Sequence, residues 1–198
     1  MASAHSQVAA TFDLRPIIIC GPSRVGKDTL IKRLIESHPD KFSLAVSHTT
    51  RQPRRGEVPG KDYNFVPRSF FSFMIYRDSF VEHISYRSEY YGTSKETITS
   101  QRRNRIVLLN INMEGVETVK KSQRPSARYV FVKPTCSHAL QAELRARGTE
   151  NESSIRKRVC RAIAEVAHAE TSGAYQIILT DDDINKVYDR LESFALGI

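Results

Sequence analysis

Gly21-Pro22-Ser23-Arg24-Val25-Gly26-Lys27-Asp28 lies between an apolar run, Pro16 to Cys20, and a stretch with Leu30, Ile31, Leu34 and Ile35 on one helical face. A short, fully apolar run is typical of a buried parallel strand, and Pro39 lies just beyond the helical pattern. Strand, glycine-rich turn and helix in that order are the setting a phosphate-binding loop requires. The glycines let the backbone wrap a phosphate, while successive N–H groups and the helix N-terminus supply donors and positive potential. Lys27 then reaches the β- and γ-phosphates of a nucleotide as a mobile cation. Gly21, Ser23, Arg24, Gly26, Lys27, Asp28 and Thr29 are the expected nucleotide-binding set. Asp28 replaces the Ser or Thr whose hydroxyl ordinarily ligates Mg2+. A carboxylate is also a hard oxygen ligand, so Asp28 is the candidate metal ligand, but its charge repels a triphosphate wherever an ion does not neutralise it.

Outward from the loop, strands and helices alternate. Residues 42–47, 105–112, 128–132 and 175–180 are β-rich runs. Residues 137–147 read as a helix stopping at Gly148, a natural end residue. Residues 153–170 repeat Ile155, Val159, Ile163 and Val166 at helical spacing, and residues 183–196 close with Ile184, Val187, Leu191 and Phe194. Such alternation indicates an α/β fold around a parallel sheet. Residues 51–99 break the rhythm with a polar stretch rich in Arg and Tyr, and read as an insertion carrying a ligand site.

The composition bounds the function. With 198 residues, 40% hydrophobic and 26% charged, the chain can bury one real core, and disorder is excluded as its main state. No apolar run approaches the length of a membrane span. Cys20, Cys136 and Cys160 form no CxxC pair, which suits a reducing compartment and argues against a zinc cluster. Residues 1–14 lack a basic start followed by an apolar stretch, so they read as a short mobile tail of a cytoplasmic protein. A formal charge of +8 favours nucleic acids or small phosphorylated ligands, or is merely a soluble basic surface.

The most specific stretch is Ser47-His-Thr-Thr-Arg51-Gln-Pro-Arg54-Arg-Gly-Glu57, continuing to Asp62-Tyr63-Asn-Phe65. Together with Phe80-Val-Glu82 and Tyr90-Tyr91-Gly-Thr93, it closely resembles guanylate kinases, and the resemblance covers nearly the whole chain. It implies a P-loop parallel-sheet core (residues 15–46, 100–136 and 167–198), an inserted mixed α/β GMP-binding subdomain (about 47–99) and a helical lid (about 137–166). It also implies Mg2+-dependent phosphoryl transfer from ATP to GMP, in purine nucleotide metabolism. By resemblance Arg51, Arg54, Tyr63 and Tyr91 hold the phosphate of GMP, Ser47, Glu82 and Thr93 face the guanine, and Glu57 and Asn112 complete that set. The chemistry agrees, since guanidinium forks bind phosphate bidentately. A carboxylate such as Glu82 can accept from guanine N1–H and the N2 amine, donors that adenine lacks on that edge.

The lid is similar to the family's at Leu140-Gln-Ala-Glu143-Leu-Arg145-Ala-Arg147 and at Ile155-Arg-Lys-Arg158. Arg147 and Arg158 match arginines that stabilise charge on the transferring phosphoryl group and, with Lys27, are the candidate catalytic residues. Glu143 stands where the family usually has arginine, and an i, i+4 pair with Arg147 is open to it. Asn110 and Asn112 replace an Asp-x-Asp pair that helps organise the Mg2+ water shell and the GMP site. Asp28 restores part of that missing charge in one reading. Asp181 stands in place of an asparagine near the adenine, and the simpler reading of Asp181 to Asp183 is a helix cap. The leading function is therefore a monomeric kinase acting on ATP and GMP, without nucleic-acid or membrane partners. The alternatives are a catalytically attenuated module binding GMP or an acidic or phosphorylated peptide, favoured by the substitutions at 28, 110, 112 and 143, and phosphoryl transfer to another acceptor.

Overall fold

Ile17–Cys20 (β1) is buried from end to end, because helices cover both faces of the sheet to which it is central. In the computed structural model, which describes residues 13–86, 88–102, 104–122, 125–146, 148, 151–180 and 183–198, this strand leads through the loop into Lys27–Ser37 (α1). Arg147 and Asp181 lie outside the described residues. Beside β1 run Ile106–Asn110 (β7) and Arg128–Val132 (β8), flanked by Phe42–Leu44 (β2) and Ile177–Leu179 (β9). All pairs are parallel, in the order β2-β7-β1-β8-β9.

Alternate residues of β1 serve opposite faces, as the pleat dictates. Ile17 and Ile19 pack with Leu30, Ile31 and Leu34 of α1 and with Val187, Tyr188 and Leu191 of the closing helix Ile184–Leu196 (α7). Ile18 and Cys20 face Ile98 of Lys95–Gln101 (α3), Val116 and Val119 of Met113–Ser122 (α4) and Ala169 of Glu152–Thr171 (α6). The expected α/β core is thus present, with helices on both sides. Asp183 caps α7 by accepting the Asn185 amide at 2.9 Å. Asp13, assigned from sequence to the tail, is tied inward: buried Arg128 donates to its carbonyl and to those of Phe194 and Ala195, each at 3.1 Å.

The strand expected over residues 42–47 stops at Leu44. The chain then crosses to a second, mixed sheet, where His48–Thr49 (β3) pairs with Asn64–Phe65 (β4) and with Glu89–Ser94 (β6). Phe80–Tyr86 (β5) completes the order β4-β3-β6-β5. Arg68–Tyr76 (α2) covers this sheet through Phe71, stacked between Phe80 and Tyr90 at centroid distances of 4.5 and 5.5 Å. The third unit is the pair of helices Ser137–Ala146 (α5) and α6, joined by Leu140, Leu144, Ile155, Val159 and Ala162. Helix α6 does not end with that unit. It is one helix of 20 residues, whose far end, through Val166 and Ala169, belongs to the sheet core. Among the described residues, no helix is long and apolar enough to cross a membrane.

Candidate active site

A cleft of about 940 Å3 runs between the three units, with the glycine-rich loop as one wall and the mixed sheet as the other. Gly21 adopts φ +146°, and a Cβ there would meet the Val132 carbonyl oxygen at 2.0 Å, so only glycine lets the loop leave β1 so close to β8. Gly26, at φ +81°, turns the chain into α1, whose N-terminus carries no side-chain cap. Its first amides are therefore presented to the cleft, as an anion site requires. Lys27 folds over the loop, donating to the carbonyls of Gly21 and Pro22 at 2.6 and 2.7 Å, and burial lowers its pKa. Ser23, Arg24, Asp28 and Thr29 line the same wall.

Asp28 is not isolated. Asn110, at the end of β7, donates from Nδ2 to its Oδ1 at 2.6 Å. Two positions that each departed from the family pattern thus form one carboxylate–amide pair at the edge of the loop. Asn112 also reaches the cleft, but its Oδ1 accepts the Gly115 amide at 2.9 Å and so starts α4.

On the opposite wall Arg51 forms a bidentate pair with Glu57, at 2.5 and 2.8 Å, and lies over the Tyr63 ring at 4.9 Å. That hydrogen-bonded pair raises the pKa of Arg51 and lowers that of Glu57 to about 2. Glu57 also accepts the Arg54 amide at 2.7 Å. It does not line the cleft itself; it fixes Arg51 and Arg54, which do, beside Tyr63 and Tyr91. The two phenol rings meet edge to face at 6.0 Å.

Deeper in this lobe lies Glu82, only 4% exposed. The β5–β6 ladder shifts register between Phe80 and Glu82, so two residues of β5 advance against one of β6. That bulge reverses the alternation, sending Glu82, Ile84 and Tyr86 to the cleft while Phe80 stays in the core under α2. Burial raises the Glu82 carboxyl to about 6, against the opposing effect of hydrogen bonds from Thr93. Thr93 is fully buried, and its hydroxyl lies 3.0 Å from that of Ser47, which opens on the cleft. The guanine-facing residues expected from sequence, Ser47, Glu82 and Thr93, therefore form one hydrogen-bonded cluster.

The third wall comes from α5 and α6. Arg158 lines it, as does Glu143, which faces the cleft where the resemblance led one to expect arginine. Sequence reasoning missed three contributors, Asn110 as the partner of Asp28, and Arg161 and Glu165 of α6. Only their i, i+4 spacing was visible for the last two, and on a helix that normally marks a solvated pair.

The comparisons with known proteins agree with this geometry. The family model described as guanylate kinase matches residues 13–196. The chain is 41% identical, over all of its length and 98% of the relative's, to a guanylate kinase of Schizosaccharomyces pombe. It is 39% identical to one of Homo sapiens, over 90% of each chain. A solved guanylate kinase from Anaplasma phagocytophilum shares the fold with a TM-score of 0.69 at 23% identity, covering 94% of this chain and 87% of that one. With a phosphate loop facing an arginine–tyrosine clamp and a buried carboxylate across one cleft, the chain belongs to the guanylate kinase family.

Proposed function

We propose that this protein transfers the γ-phosphoryl group of ATP to GMP, giving ADP and GDP. One observation carries the reading: the loop with Lys27 and the cluster Arg51, Arg54, Tyr63, Tyr91 and Glu82 face each other across a single cleft. The GMP phosphate binds among the two arginines and two phenols, with Arg51 already oriented by Glu57. Guanine donates N1–H and its N2 amine to Glu82, beside Ser47 and Thr93. Adenine on that edge leaves the buried carboxylate unsatisfied, which costs discrimination of several kcal/mol, on the order of 10^4-fold in specificity.

The backbone N–H groups of the loop from Ser23 to Thr29 hold the donor phosphates, and Lys27 swings from the loop carbonyls to neutralise them. An oxygen of the GMP phosphate attacks the γ-phosphorus, the bond to the β–γ bridging oxygen breaks, and ADP leaves with its electron pair. Arg158, with Arg147, stabilises the charge spread over the equatorial oxygens. No covalent enzyme intermediate is required; positioning and exclusion of water supply the rate.

The residues at the loop edge fit Mg2+. Asp28 offers a carboxylate oxygen beyond the one bonded to Asn110, and Asn110 keeps its own amide oxygen. Among the described residues no cluster of three or more His, Cys, Asp or Glu is arranged to cage a metal, as suits an ion that keeps its waters and binds chiefly through phosphate. When bound, the ion neutralises charge on the donor phosphates. The protein is further read as a cytoplasmic monomer acting on free nucleotides.

The test measures ADP release from MgATP with GMP, AMP, CMP and UMP as acceptors. Selective turnover of GMP, abolished by Lys27→Ala, is expected. GMP binding without turnover overturns the reading and points to an attenuated binding module.

A further inference from the structure

Gly115 lies buried in the first turn of α4, and its backbone there is ordinary helix, unlike the glycines at positive φ. An alanine would adopt that conformation at lower entropic cost, so the conformational freedom of glycine explains nothing at this position. The room it leaves does. A Cβ on Gly115 would stand 3.0 Å from Oε2 and 3.4 Å from Cδ of Glu82, and 3.4 Å from Oδ1 of Asn112. Favourable contacts of carbon begin at about 3.5 Å, so a methyl there forces the carboxylate to give way. Glu82 has little room to retreat into the protein. It is 4% exposed, and its backbone is paired with Thr93 across the β5–β6 ladder. At the next position of β6, a Cβ on Gly92 would meet the Glu82 carbonyl oxygen at 2.9 Å, so that strand already runs as close as a glycine permits. The direction left to the carboxylate is the cleft, which Glu82 lines.

We propose that Gly115 is a positioning residue for Glu82: by carrying no side chain it lets α4 close over the carboxylate and sets the depth at which both oxygens meet a guanine base. The proposal rests on the reading that Glu82 accepts from guanine N1–H and the N2 amine. Two hydrogen bonds from one base edge to one carboxylate require both oxygens to lie in line with the two donors. A carboxylate pushed out towards the base keeps one of these bonds and spoils the other. The loss of one hydrogen bond to a charged group is worth about tenfold in affinity. Gly115 is not among the residues lining the cleft, so its effect passes through Glu82 and not through contact with the nucleotide.

The experiment titrates GMP and, separately, MgATP onto the full chain and its variants, and follows urea unfolding of each. Gly115→Ala is expected to weaken GMP about tenfold while MgATP stays within about twofold. Its unfolding midpoint is expected to be no lower than the parent's, because alanine is the better helix former and the carboxylate escapes into the cleft. Glu82→Asp withdraws the carboxylate by one methylene, away from the new methyl group. In that background Gly115→Ala is expected to change GMP affinity by no more than about twofold. The same tenfold loss in both backgrounds overturns the proposal, because the methyl then acts elsewhere than on Glu82. A lowered midpoint with equal loss of both nucleotides overturns it as a general loosening. Unchanged GMP affinity in Gly115→Ala overturns the proposal alone, whereas a parent chain that binds GMP no better than AMP overturns the guanine-site reading with it.

Discussion

At Glu82, burial and a bulged strand hold a carboxylate away from water, and the pH dependence of stability follows from that placement. Its folded value of about 6 lies above the ordinary 4.5. Between those values the folded chain binds more protons than the unfolded one, so stability falls as pH rises through the window and is lowest, from this group, above it. The deficit at neutral pH is about 2 kcal/mol. Glu82→Gln is therefore expected to be more stable than the parent by up to about 2 kcal/mol at pH 8, with the gain vanishing near pH 4, in urea melts at both values. The same variant is expected to lose GMP affinity, because an amide offers one acceptor where guanine presents two donors. In the parent, GMP affinity is expected to fall as pH drops below about 6, as the carboxylate takes up its proton. The identity of these residues was legible in the sequence, and their pairing was not. Asp28 and Asn110 stand 82 positions apart, and the sequence offered only a compensation of charge between them, not the direct hydrogen bond of 2.6 Å that the sheet makes possible. Glu57 was expected at the ligand, but its carboxylate is occupied by Arg51 and the Arg54 amide.

Among the elements, α1 buries Leu30, Ile31 and Leu34 as its 3.6-residue pattern selects. Helices α6 and α7 keep Ile155, Val187 and Leu191 of theirs but leave Ile163 and Ile184 exposed, and bury Ala162, Ala169, Tyr188 and Ala195 instead, because the alanines and Tyr188 face the packed side. Helix α2 was hidden because apolar residues surround it, with Phe71 and Met74 buried and Phe70, Phe73 and Tyr76 exposed. Helix α3 buries only Ile98, too little for a pattern, and α4 carries Gly115 in its first turn, beside Glu82, where a Cβ would come within 3.0 Å of that carboxylate. The bulge in β5 left no mark in the residue string, because it depends on the register with β6. The α5–α6 pair has a small core of its own, in which Ile155 is 2% exposed. Ile155→Ala is expected to cost about 2–4 kcal/mol, felt locally. Hydrogen exchange should quicken over α5 and the first half of α6 while the amides of β1 and β7 keep their protection. Uniform loss of protection would show that the pair is not a separate cooperative unit.

For the molecule as a whole, the excess of 30 basic over 22 acidic residues acquires addresses. Lys27, Arg51, Arg54 and Arg158 converge on one cleft, so part of the +8 charge is concentrated at the proposed nucleotide site. The Michaelis constants for MgATP and GMP are expected to rise several-fold as KCl increases from about 0.05 to 0.5 M, while the affinity for uncharged guanosine stays level. A flat salt profile for both nucleotides would place their recognition outside this cleft. Helix α6 ties the parts of the molecule together mechanically. At 1.5 Å per residue its 20 residues span about 30 Å, with the base anchored on the sheet behind the phosphate loop and the tip clasping α5. Such a rod has the geometry of a lever, with Glu165 near the point where it meets the sheet core. A tilt of about 10° there carries Arg158 by about 2 Å and the tip at Glu152 by more than 3 Å. A small change in packing at the base of α6 would thereby be geared up into a larger travel of Arg158 at the cleft, and the gear ratio is set by nothing more than the number of helical turns between them.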